Sequence, residues 1–417
     1  MTANKGYHFL RRSDKVFNLT QKLQALHDGR TWCLVPLASV MKIMLLGFAC
    51  RLGSLNRIEQ ALENGLFDEV LGRGAKPSAD AIRYALKRTE PQELKELNSQ
   101  VVQKARRNKV FPKGTVDGYV VCGVDGTELY KTKADSRRCT HCSVRTRKEG
   151  DEEVWREYYE RAVAISYVGD GPNLVVGLER QGKGEGELPA SLRLLQDLYW
   201  RNSRYCDVIA GDALYAAAPF FNAATEQGKW VVVRAKREDL RVIVDAEGLF
   251  AQRGPDFESE GITEFKGASY DLRIWDEEDF DSWDGVNGTL RVLRVEETRR
   301  CIKNGRSEET KQITHIVTTC PQSQVKPLTV WRIMHARWGI ENRVFHQAKT
   351  HCSLEHSYIH HEIATEVLWQ LQVLALNLML LFRWNRHNGK RPGMTELADI
   401  IMATLLVPVR RLDLSPG

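Results

Sequence analysis

Residues Gly118–Tyr130 read GYVVCGVDGTELY, and residues Cys206–Tyr215 read CDVIAGDALY. Both are near-continuous apolar runs closed by an aspartate, Asp125 in the first and Asp212 in the second. A run that is apolar without alternation suits a strand covered on both faces, as in a sheet sandwiched by helices. Between the two lie RAVAISYVG and NLVVGLERQ, which read as further strands. LPASLRLLQDLYWRN is amphipathic, with Leu192, Leu195, Leu198 and Tyr199 on one side, and reads as a helix. APFFNAATEQG is a helix closed by Gly228, and KWVVVRAK is another strand. Three strands, a helix, a strand, a helix and a strand describe an open α/β sheet.

Working outward divides the chain into four parts. Residues 1–112 read as helical. There SLNRIEQALENG has Ser54 to cap it and Gly65 to stop it, and PSADAIRYALKR opens on Pro77 and Ser78. These two short helices fit a helix-turn-helix or an ordinary bundle equally well. Residues 113–236 hold the first part of the α/β core. Residues 237–312 form a β-rich insertion, with LRVIVDAEG, GITEFKG, SYDLRIWDEED, GTLRVLRVEETRR and the start of QITHIVTT as short strands. Residues 313–417 complete the core and are mainly helical.

The chain has 417 residues, a net charge of +6, 42% hydrophobic and 27% charged residues, which suits a soluble globular protein and permits a nucleic-acid partner without requiring one. The opening MTANKGYHFLRRSDK has no apolar core of a secretory signal. The most apolar run, Val367–Phe382, is short for a membrane span and is interrupted by Gln370, Gln372 and Asn377, so it reads as a buried helix. Nine cysteines without regular spacing fit a reducing compartment rather than a disulfide scaffold.

In an open α/β sheet, ligands bind at the carboxyl ends of the strands, where Asp125 and Asp212 fall. Two carboxylates there repel each other and desolvate badly unless a cation joins them. Taken singly, Asp125 before Gly126 also suits a turn, and Asp212 also suits a helix cap. Asp117 and Asp207, at the opposite ends of the same runs, are better turn or capping residues.

RIMHARWGIENRVFHQAKTH (Arg332–His351) is basic through Arg332, Arg337, Arg343 and Lys349, with Glu341 its one carboxylate. A solvated ion pair is the ordinary reading of that glutamate. A helix packed on the sheet would instead project it toward the two aspartates. Three oxygen ligands suit a hard cation such as Mg²⁺, and a pair of such ions suits phosphodiester chemistry. Arg337, four residues before Glu341, shares its helix face, whereas Lys349 is rotated from it by about 80°.

RWGIENRVFHQAKT followed by LEHSYIHH resembles the third-acid helix of DDE transposases of bacterial insertion sequences, in the branch with a β-strand insertion before the glutamate. CGVDGTEL resembles the first-acid strand of that family, and GKGEGELPASLRLL with DVIAGDALYAAAPFF resembles its central helix and second-acid strand. The intervals, 212 − 125 = 87 and 341 − 212 = 129 residues, leave room for the insertion. Two positions depart from the branch's signature of Tyr, Arg, Glu and Lys. Met334 stands for the tyrosine, and Ala348 takes the place of the lysine, which follows at Lys349.

The resemblance implies an RNase H-like mixed sheet flanked by helices, with a β-rich insertion and an N-terminal helical domain that binds DNA ends. It implies that Asp125, Asp212 and Glu341 are catalytic and hold Mg²⁺, with Mn²⁺ as a substitute. Arg337, Lys349 and Arg343 would hold phosphates. The partners implied are the terminal inverted repeats of a transposon and its target DNA, bound by a homodimer in the cytoplasm of a bacterium, at the nucleoid and away from any membrane. Two alternatives share the acids or the ancestry: a metal-dependent nuclease that cuts without joining, and a non-catalytic DNA-binding protein derived from a transposase.

Other motifs are weaker. Cys139, His141 and Cys142 have metal-ligand spacing, but no second CxxC or HxxxH clearly partners them, since His356 and His360, four apart, sit far along the chain, so unpaired thiols are expected. Their surroundings, RRCTHCSVRTRK, read as a basic loop. GKGEGE lacks the ending of a phosphate loop, so Glu185 and Glu187 read as a helix start.

Overall fold

The computed structural model describes residues 9–71, 74–133, 141–150, 152–259, 263–265, 268–303, 306–386 and 391–406. Among the described residues seven helices come first: α1 (Phe9–Phe17), α2 (Leu19–Gln24), α3 (Leu37–Ala49), α4 (Leu55–Glu63), α5 (Asp68–Leu71), α6 (Ala79–Leu86) and α7 (Pro91–Arg107). The hydroxyls of Ser54 and Ser78 accept from the backbone of Arg57 and Ala81, as N-caps do.

The sheet that follows is built from β1 (Val121–Lys133), β2 (Ser143–Glu149), β3 (Glu152–Tyr167), β4 (Val175–Arg180), β5 (Val208–Gly211) and β6 (Trp230–Ala235). α8 (Glu187–Asn202) lies between β4 and β5, and α9 (Ala218–Glu226) between β5 and β6. β1 pairs antiparallel with β3, and β3 with β4. β1, β5 and β6 run parallel. The order β4-β3-β1-β5-β6, three antiparallel strands followed by two parallel ones, is the mixed sheet of the RNase H-like type. β2 was expected as part of a basic loop. It pairs instead with the first half of β3, the half that β4 leaves open.

The β-rich region continues the same sheet. β11 (Arg306–Thr318) pairs with β6, then β10 (Leu290–Lys303) with β11, and β9 (Ala268–Phe280) with β10. The short β7 (Phe257–Glu258) and β8 (Thr263–Phe265) both pair with β9. One expectation fails in this region. LRVIVDAEG, read as a strand for its β-branched residues, lies in the helix α10 (Arg241–Phe250). Its buried residues, Val242, Ile243, Ala246 and Phe250, recur at helical spacing and pack on β9 and β10, so tertiary burial overrides local propensity.

α11 (Pro327–Arg337), a π-helical turn (Ile340–Phe345) and α12 (His346–Cys352) form one interrupted helix. α13 (Glu362–Arg386) and α14 (Met394–Leu406) close the chain. α13 is long and apolar enough to cross a membrane, but its most apolar stretch is 94% buried against the protein, so it is a core helix. Its polar interruptions serve that packing. Gln370 donates to the Leu178 carbonyl, Gln372 to those of Cys352 and Ser353, and Asn377 both donates to and accepts from the backbone of Val175. α3 and α7 pack on α13, so the N-terminal helices share its core.

The extended sheet grips α11 through a buried carboxylate. Glu297 on β10 accepts from the Trp331 indole at 2.7 Å and from Gln312, and its Oε2 lies 2.9 Å from His335 Nε2. Burial raises the proton affinity of Glu297, but the contacts with His335, Trp331 and Gln312 outweigh it and hold the carboxyl below its ordinary value. A depressed carboxyl stabilises the fold above its unfolded value and loses that contribution as pH falls through the folded value. Glu297→Gln is therefore expected to cost about 1–3 kcal/mol at pH 7. The gap between the melting curves of the two proteins should close below about pH 4. A gap that stays constant with pH would show that the charge is not what matters.

Candidate active site

The pairing of β1 with β5 sets the positions of the two aspartates. Val121, Cys122 and Gly123 lie opposite Val208, Ile209 and Ala210. The offset is 208 − 121 = 87 residues, the same as from Asp125 to Asp212. Each aspartate thus stands two residues beyond the last paired position on its own strand. Their backbones are separated by about one inter-strand spacing of 5 Å.

The two carboxylates are anchored differently. Asp125 Oδ1 accepts from the Gly126 amide at 3.0 Å. Asp212 Oδ1 accepts from the Leu214 amide at 2.8 Å and caps the 3₁₀ turn Ala213–Tyr215. The helix-cap reading of Asp212 is therefore correct, and the cap occupies only one of its oxygens.

Gly123 admits the third acid. The position of a Cβ there is 3.5 Å from the Arg337 carbonyl and 3.6 Å from Ile340 Cβ, so the π turn lies directly on β1. Side chains two apart on a strand share a face. Asp125 therefore faces the helix that carries Glu341. A π turn is rare and occurs often at functional positions. This one carries Glu341, whose Oε1 accepts from Arg337 Nη1 at 2.9 Å. The arginine side chain is 8% exposed and the glutamate 48%. Arg337 is thus held by the core, and Glu341 keeps an open side. Arg337 Nε is buried without a hydrogen-bond partner among the described residues.

A fourth carboxylate enters from α8. Glu187 Oε1 accepts from the buried Tyr215 hydroxyl at 2.6 Å. A Cβ at Gly126 would overlap the Glu187 carboxylate, so the glycine makes room for it. In sequence Glu187 reads only as a helix start. The usable signal was the glycine directly after Asp125.

Burial, then Glu341 and Glu187, and last Asp212 push the Asp125 carboxyl up to about 7, with Arg337 opposing. Such a group holds its proton in the folded state, so the stability of the metal-free protein declines as pH rises from about 4 to 7. Asp125→Asn removes that decline. At pH 8 without divalent ions, the variant is expected to melt a few degrees above the parent. Mg²⁺ should raise the melting temperature of the parent and leave the variant nearly unchanged. Equal Mg²⁺ responses would argue against a cation at Asp125.

The structure separates the remaining candidates. Lys349 pairs with Glu355 at 2.7 Å. Arg343 lines a cleft of about 400 Å³ with Arg383 and Arg391, the latter stacked 3.4 Å above the Trp384 ring. Asp117 accepts from Thr329 and Arg332, and Asp207 from the Val120 amide at 2.7 Å, which bears out their structural reading. Cys139 and Arg137–Arg138 lie outside the described residues.

Residues 188–378 match the family model of the transposase DDE domain. That stretch of the chain is similar to the DDE domain of transposases. The matched span includes Asp212 and Glu341, and Asp125 precedes it. Among solved structures, a piggyBac transposase in a synaptic complex with hairpin DNA resembles the chain at 11% identity, with a TM-score of 0.44, over 96% of this chain and 80% of the other. No curated protein matches the chain.

Proposed function

We propose that the protein is a DNA transposase that cuts at transposon ends and joins them to target DNA through Asp125, Asp212 and Glu341. The observation that carries this reading is the common register of Asp125 and Asp212 beside the helix of Glu341. Burial, together with the carboxylates gathered around Asp125, raises the Asp125 carboxyl to about 7 against the opposing charge of Arg337, an arrangement that suits divalent metal.

Asp125, Asp212 and Glu341 would hold Mg²⁺, for which Mn²⁺ substitutes. Bound there, the ions would activate a water or a 3′-hydroxyl for attack and stabilise the departing oxygen. The protein's own groups do the rest. Arg337 orients Glu341 and, from its buried position, presents positive charge to the phosphate being cut. Glu187 keeps Tyr215 in place below the cluster. Arg343, with Arg383 and Arg391, would line the path of the backbone, and Lys349 would reach a phosphate by leaving Glu355. Residues 1–112 would bind the terminal inverted repeats, and two chains would pair two ends.

The test uses duplexes that carry the DNA ends flanking the gene. With Mg²⁺ and pre-cut 3′-hydroxyl ends, joining to a target plasmid is expected. Cleavage without joining would favour a nuclease, and binding without either reaction a DNA-binding relic.

A further inference from the structure

We infer that the protein holds a structural Zn²⁺ ion between β2, β3 and the segment leading into α13, bound by His141, Cys142, His360 and Glu160. This site is separate from the aspartates and uses residues the proposed chemistry leaves idle.

The sequence offered half of a metal site, with the His356 and His360 pair too far along the chain to be joined to it. The fold brings the rest from 218 residues away. Cys142 Sγ lies 3.9 Å from His360 Nε2, and the ligand atoms of His141, Cys142 and His360 are all within 4.8 Å of one another. The rings of His141 and His360 are 4.9 Å apart. Glu160 on β3 adjoins two of the three and offers a fourth ligand. Its Oε1 is 3.4 Å from Cys142 Sγ and 3.3 Å from His141 Nε2.

These separations have a geometric meaning. Tetrahedral zinc with bonds of about 2.0 Å to oxygen and nitrogen and 2.3 Å to sulfur has ligand-to-ligand edges of about 3.3–3.6 Å. The edges from Glu160 to Cys142 and to His141 match, and the edge from Cys142 to His360 is within a few tenths of an ångström. One thiolate, two imidazoles and one carboxylate are the ligand types zinc takes, and a soft sulfur disfavours Mg²⁺.

The surroundings suit a closed site. Cys142 is fully buried and Glu160 is 4% exposed. Glu160 Oε1 faces Cys142 and His141, while its Oε2 is buried with no hydrogen-bond partner among the described residues, so the carboxylate gathers its contacts on the side of the cluster. Arg180 holds the ligand from outside. It donates to Glu160 Oε1 at 3.2 Å and pairs with Glu362, the first residue of α13, at 3.3 Å. Partners of this kind orient metal ligands. The ion would pin the His360 segment, which follows the Glu341 helix, to the edge of the sheet.

The experiment uses the full untagged chain, purified from zinc-supplemented cells and dialysed against metal-free buffer. Elemental analysis should find about one zinc per chain. Replacement of zinc by Co²⁺ should give a near-ultraviolet thiolate-to-cobalt band. Cys142→Ser and His360→Ala should lose the ion and the band, whereas Glu341→Gln should keep both. Stripping with a chelator should lower the melting temperature of the parent, and one equivalent of Zn²⁺ should restore it. Should Cys142→Ser fail to fold, the cobalt band of the parent decides the matter. Substoichiometric zinc with no thiolate band in the parent would overturn the inference, as would zinc and band retained in Cys142→Ser.

Discussion

Glu341→Gln, Asp125→Asn and Asp212→Asn are each expected to reduce cleavage in Mg²⁺ by about 10³-fold or more, with binding of the DNA ends retained. Metal stabilisation of a phosphodiester transition state contributes several kcal/mol, and each 1.4 kcal/mol is a factor of about ten in rate. Each amide keeps the shape of the acid and removes the charge that would hold the ion. Binding would survive because phosphate contacts from arginines and lysines, spread over a wide surface, would carry it. The comparison with Asp117→Asn and Asp207→Asn is what makes the test informative. Those aspartates lie on the same strands or beside them, but they fasten Thr329, Arg332 and the Val120 amide. They should lower stability and leave the rate per folded molecule close to the parent's. Any of the first three variants that cuts at full rate in Mg²⁺ is not a metal ligand.

Arg291→Ala carries the largest expected cost in stability. The arginine is 2% exposed. It forms a two-pronged pair with Asp276, Nε to Oδ1 at 2.6 Å and Nη2 to Oδ2 at 2.7 Å. Its remaining nitrogen, Nη1, donates to the carbonyls of Cys320 and Val325 at 3.1 and 2.7 Å. Truncation leaves a buried carboxylate without its counter-ion and two carbonyls without a donor. Breaking a buried pair on one side typically costs about 3–5 kcal/mol, a large part of the roughly 5–15 kcal/mol that keeps a domain folded. Cys320 and Val325 lead directly into α11, so the loss should also loosen the approach to Glu341. Arg291→Met with Asp276→Leu removes both charges, and is expected to recover part of the loss. Urea denaturation of the three proteins reads the difference. A cost below about 1 kcal/mol for Arg291→Ala would mean that the pair is solvated in solution, as an exposed ion pair is.

The α/β core was legible in the residue pattern because its strands are local. Each buried run is apolar throughout, and a parallel strand needs its neighbour's register only once. The 87-residue interval between Asp125 and Asp212 turned out to be the register of β1 on β5. Patterning failed where burial on a distant surface set the conformation. The β-branched residues of α10 imitate a strand, and its helical form follows from packing on β9 and β10. β2 lay unseen in a basic stretch because its partner is the first half of β3, left free by β4.

The candidate sites divide along the same line. The placement of Asp125 and Asp212 at strand ends and of Glu341 on a helix was legible, since each sits on an element with its own signature. That of Glu187 was not, because its place beside Asp125 depends on α8 starting against a glycine on β1. The meeting of Cys142 with His360 was equally hidden. Spacing along a chain reports neighbours within a turn or a strand, whereas contacts across hundreds of residues exist only once the helices have packed on the sheet.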